Sequence, residues 1–144
     1  MSPDERPNPI DDIAYYHHLR GRLEHEDGLI VSRLAWLMAS ESFLYTAYAI
    51  VLNAPAATPQ HRRLMHLLPM VAIATSVLIF FGIAAAIRAM GWLRGLLETR
   101  IPDPARLGLP PIDTPRFMRA GLAAPLLLPV MSILVWLYLL ATGM

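Results

Sequence analysis

A single carboxylate, Glu41, sits near the middle of the apolar run at residues 29–52, LIVSRLAWLMASESFLYTAYAIVL, with Ser40 and Ser42 on either side of it. At about 100° per residue it shares a helical stripe with Ile30, Leu34, Tyr45, Tyr48 and Leu52. A carboxyl placed in hydrocarbon must take up a proton, find a partner or reach water, and a charge at a helix centre costs roughly 2.5–3.5 kcal/mol for the worst residues. One reading makes Glu41 a cation or proton site, with Tyr45, Tyr48, Ser40 and Ser42 as supporting polar groups. The other makes it a hydrogen-bonding group between helices that serves packing alone.

Arg33 precedes Glu41 by eight residues, about 12 Å along a helix axis and about 80° around it. A direct pair within one helix is therefore strained. The expectations for Arg33 are that it snorkels to lipid phosphate or pairs with Glu41 of a neighbouring copy. His66, beside His61, Arg62 and Arg63 at the outer end of the second apolar run, is a solvated interfacial group or a pH-sensing one. His17, His18 and His25 offer no i, i+3 or i, i+4 pair of histidines, so no metal site is expected, and no cofactor is implied. The chain has no cysteine, which excludes a disulfide framework and thiolate chemistry. Neither a phosphate-binding loop nor a nucleophile elbow nor a catalytic carboxylate pair is present, and no enzyme is expected.

These residues are carried by three long apolar segments. The chain is 56% hydrophobic with a mean hydropathy of +0.45, and only 16% of it is charged. Its charges gather outside the apolar runs, as in an integral membrane protein and not in a soluble one. The expected fold is all-α, with three transmembrane helices at about 29–52, 64–87 and 119–142 and an N-terminal amphipathic helix at 12–28. That helix is expected on or near the membrane surface, or running straight into the first span with Gly28 as a bend. Asp11 or Asp12 is a plausible N-cap, and Arg20/Glu24 and Arg22/Glu26 can pair at i, i+4. Residues 88–100 read as an extension of the second helix or an interfacial one, with Trp92 at headgroup level. The five prolines of 101–115 exclude regular helix there, and Pro125 and Pro129 predict a kink in the third span. The domains are then a leader and amphipathic helix at 1–28 and a membrane domain at 29–144, whose Arg/Pro-rich loop covers 88–118.

Small residues at Ala35 and Ala39, Ala72 and Ser76, and Gly82 and Ala86 offer close helix approach. Trp136 and Tyr138 fit an aromatic belt at the outer end of the third span. All 12 basic residues are arginine. Arg20, Arg22, Arg88, Arg94, Arg100, Arg106, Arg116 and Arg119 fall on one side of the three spans and Arg62 and Arg63 on the other. The positive-inside rule then puts the N-terminus in the cytoplasm and the C-terminus outside. No basic strip of nucleic-acid type is present.

The stretch at 22–50, RLEHEDGLIVSRLAWLMASESFLYTAYAI, resembles the front end of small uncharacterised bacterial membrane proteins, with an acidic HED element leading into a span with a Trp. The resemblance implies a bacterial inner-membrane setting and no activity. Three spans bury one another thinly, so a lone copy is expected to leave Glu41 facing lipid, and a homo-oligomer is expected to gather the Glu41 stripes. Two functions follow. The first is a small oligomeric protein that conducts or binds cations or protons at Glu41. The second is a non-catalytic scaffold or sensor that binds a cytoplasmic protein or anionic lipid through its helix at 12–28 and its loop. Its remaining partners are the bilayer and further copies of itself.

Overall fold

The computed structural model describes residues 9–54, 59–110 and 115–142, and its regular structure is helical throughout. Helix α1 is Pro9–Asn53, α2 is Pro59–Arg100 and α3 is Pro115–Thr142, with a short 3-10 turn at Pro104–Leu107 before α3. Each helix is long and apolar enough to cross a membrane. At 1.5 Å per residue α1 and α2 are roughly 65 Å long, about twice the 30 Å of a hydrocarbon core. They run antiparallel as one hairpin, and α3 lies mainly along α2.

Pro9 opens α1, where its missing N–H is an orphan in any case, and Asp11 and Asp12 face the positive end of the helix dipole. Of the two expectations for 12–28, the structure has the second, a helix running straight into the first span, but without the bend at Gly28. Residues 12–28 are the first part of α1, and Gly28 lies within unbroken helix. The physical reason is a partner: Tyr16 and Leu19 bury against Leu93, Leu97 and Ile101, so the apolar face of 12–28 is covered by the end of α2. The extension of the second helix through 88–100 is continuous. Pro69 is a tenth residue past the start of α2 and not in its first turn, so Met65 lacks its helical N–H donor there.

The projecting hairpin is closed by the connection to α3. Gly108 adopts φ 68°, a left-handed conformation that glycine accepts without strain, and donates to Ala105 O at 3.0 Å. Leu107 and Leu109 thereby fold back onto the Tyr16 cluster. The Tyr16 hydroxyl donates to Pro110 O at 3.1 Å and accepts from Arg20 Nη1 at 3.0 Å. That bond, followed by the one to Glu24, raises Arg20 above its ordinary pKa. Arg100 Nε pairs with Asp12 Oδ1 at 3.1 Å, while its guanidinium lies 4.4 Å from the centre of the Tyr15 ring. We call this end, residues 9–28 with 88–110, the stem.

Two further clusters continue the core. Ile30, Ile83, Ala86 and Met90 form the middle one, against which Leu122 and Leu126 of α3 pack. Leu44, Tyr48, Ala72 and Trp136 form the one at the far end. Leu97→Ala should cost the stem about 2–5 kcal/mol, the usual range for a buried leucine. Amide hydrogen exchange should then accelerate at 12–22 and 93–101 and stay unchanged at 72–83. Equal acceleration in both regions would show that the stem does not pack as an independent cluster.

Candidate functional site

Glu41 is 6% exposed and lies between Leu37 and Leu44, both also buried. A single copy therefore covers it, contrary to the expectation that it would face lipid. The cover comes from two helices. On α2, Ser76 Oγ donates to Glu41 Oε1 at 2.9 Å. On α3, Trp136 Nε1 donates to Glu41 Oε2 at 2.6 Å. Ser76 and Ser132 share a hydrogen bond at 3.1 Å in which either hydroxyl can be the donor. Ser132 and Trp136 are four residues apart and so reach Ser76 and Glu41 from one face of α3.

The rings close the site on its far side. Tyr45 stacks on Trp136 at 4.5 Å with 9° between the planes, and Tyr48 meets the same indole edge-on at 5.5 Å. Trp136 is wholly buried, which overturns its expected place in an aromatic belt, whereas Tyr138 is 61% exposed. An indole N–H placed against a carboxyl satisfies two polar groups that would each be costly alone in this interior.

The remaining candidates lie elsewhere. Ser40 closes on its own helix, donating to Trp36 O at 2.8 Å and Leu37 O at 3.0 Å. Ser42 does the same with Met38 O at 2.7 Å. Neither hydroxyl supports Glu41. Within one copy, Arg33 forms no ion pair with a carboxylate among the described residues. It crosses to α2, where Nη1 donates to Gly82 O at 2.7 Å. Gly82 makes room for it, because a Cβ there would lie 3.2 Å from Arg33 Nε. His66 is exposed on α2. Among the described residues no group of three or more His, Cys, Asp or Glu is placed to hold a metal.

Sequence reasoning missed Ser76 and Trp136 as partners of Glu41, and Ser132 as the partner of Ser76. The available signal was a serine and a tryptophan four residues apart in an otherwise very apolar helix, facing a span that carries a buried acid. Chemically, the arrangement is a clasp. An indole nitrogen only donates, so Oε2 is committed as an acceptor, and its N–H dipole opposes a cation at that oxygen. The hydroxyl pair can donate in either direction and so adapts to what Glu41 Oε1 presents.

Trp136→Phe, which strands Oε2, should lower stability by about 1–3 kcal/mol in an unfolding titration of the detergent-solubilised protein. Glu41→Gln should cost less, because an amide can accept from Trp136 and donate to Ser76. A loss from Glu41→Gln equal to or larger than that from Trp136→Phe would contradict this geometry. The comparison with family models finds no match, and the comparisons with curated proteins and with solved structures find none either.

Proposed function

We propose that this chain is a non-catalytic membrane scaffold, in which a three-helix anchor holds the stem out of the bilayer as a rigid docking element for a cytoplasmic protein. The observation that carries the reading is the full engagement of the one mid-span carboxyl. Both Glu41 oxygens accept hydrogen bonds inside a single copy, from Ser76 and from Trp136. A conducting carboxylate has to face a wet path, whereas this one is buried within a single copy with a protein donor on each oxygen. Glu41 instead fixes how the three helices pack. The arginine distribution favours a stem on the cytoplasmic side of a bacterial inner membrane, with the C-terminus outside.

The stem suits docking because it is braced. Arg100 bridges to Asp12, and Tyr16 ties the returning chain at Pro110, while His17, His18, Arg22 and Glu98 stay exposed around that core. Such a surface can be read by a partner without moving the anchor.

Purified protein in liposomes, across a pH series, should pass no more cations or protons than protein-free liposomes do. Glu41→Gln should leave that result unchanged. Flux above background that Glu41→Gln removes would overturn the scaffold reading in favour of an ion- or proton-conducting protein with Glu41 as its site.

A further inference from the structure

Beyond the clasp, the opposite face of α1 has an order of its own. Every seventh residue from Gly21 is small: Gly21, Gly28, Ala35, Ser42 and Ala49. Four residues after each comes a second series, His25, Ser32, Ala39, Thr46 and Asn53. All of these positions are exposed in the protomer, on the side of α1 away from Leu37, Glu41 and Leu44. Alternating steps of four and three residues give a 3.5-residue period held from 21 to 53, the period of a left-handed two-helix supercoil.

The flanks make this face a groove. Val31 and Met38 stand along one side and Trp36, Phe43 and Ile50 along the other, all more than half exposed. A helix that only faced lipid would place such large side chains across its outer face and not along two walls. The glycines add an independent observation. Gly21 and Gly28 each weaken a helix interior by about 1 kcal/mol relative to alanine. Nothing in the protomer lies within 4 Å of a Cβ built on either one, so within a single copy the missing side chain serves no contact.

We propose that this groove receives α1 of a second copy, packed parallel about a two-fold axis. A partner for it must be a helix that crosses the bilayer, continues well beyond it on the same side and keeps the same period, and α1 has all three properties. Copies insert with the same orientation, so two α1 helices meet parallel. A two-fold axis sets each residue opposite itself, and no Asp, Glu, Lys or Arg lies on the two series. Of the polar members, His25 and Ser32 carry both a donor and an acceptor, and Asn53, one amide hydrogen of which goes to Ala49 O, keeps a second N–H and its Oδ1, so these can pair with their own copies. Ser42 and Thr46 spend their hydroxyl protons on Met38 O and Ser42 O inside α1 and so line the groove as small side chains whose polarity is already met. A contact about 50 Å long and about 10 Å wide buries about 1,000 Å² over both copies, the lower bound of a specific interface. The Glu41 stripes face away from this axis, so the pairing does not gather them, and it holds whether or not the stem docks a partner.

The absence of native cysteine makes the test direct. Single variants Ala35→Cys, Ala39→Cys, Ser42→Cys and Thr46→Cys of the full chain, oxidised in the membrane, should form disulfide dimers. Yields should exceed those of Leu78→Cys and Phe81→Cys, on the exposed face of α2, at least tenfold. Filling the groove with Ala39→Leu should cut the Thr46→Cys dimer yield at least tenfold without altering the unfolding midpoint of the monomer. Equal yields on α1 and α2, no dimer at any position, or a dimer that survives Ala39→Leu would each overturn the proposal, the second by leaving the groove to lipid or to another helix.

Discussion

A carboxyl withdrawn into an apolar helix interior has to be matched where it stands, and this constraint organises the three helices. Lipid tails are as apolar as leucine, so leucine contacts alone give adjacent spans little reason to prefer one register over a neighbouring one. Hydrogen bonds are local and directional, and an unpaired buried carboxyl is costly. With Glu41 Oε1 on Ser76 and Oε2 on Trp136, α1 has one level against α2 and α3 has one rotation against both. The contact with α3 matters most, because α3 touches α1 sparsely and is otherwise held by α2.

A second polar crossing fixes the same register some distance along the hairpin. Arg33 ends on the Gly82 carbonyl, a dipole already engaged in its own helix but able to accept a further bond through its second lone pair. The missing side chain of Gly82 is what lets the guanidinium lie flat against the backbone. Glu41 and Arg33 therefore do not neutralise one another. Glu41 is resolved on α2 and α3 and Arg33 on α2, and together they determine how the hairpin aligns with the stem around Tyr16, Leu93 and Leu97.

The result is a division of labour around α1. Its inner face carries the large and polar groups that build the protomer, and its outer face carries glycine, alanine, serine and threonine between two rows of exposed apolar side chains. The stem continues the inner face, and placed in water as proposed, Tyr16, Leu19 and Leu97 gain from the hydrophobic effect what the spans cannot. A braced element carried by an anchor whose buried Glu41 has a donor on each oxygen is the physical content of the scaffold reading.

Three apolar helices were legible in the sequence, the continuation of the second through Arg100 as one of two readings, and Glu41 as a group costly to bury. Span length and composition depend on bilayer thickness and transfer energies, which are properties of each segment by itself. The partners of Glu41 were not legible. Ser76 and Trp136 lie 35 and 95 residues away, and periodicity within a helix says nothing about the rotation of another helix. Trp136 shows the difficulty most clearly: near the end of a span it reads as an interfacial residue, yet it is wholly buried. The same holds for 12–28, whose pattern announces an apolar face but not whether lipid or α2 covers it. The sequence by itself determined which segments are helical and which residues are costly to bury. Tertiary structure alone decided what satisfies them, because a hydrogen-bond partner is chosen by proximity in space, and that is set only when all three helices have packed.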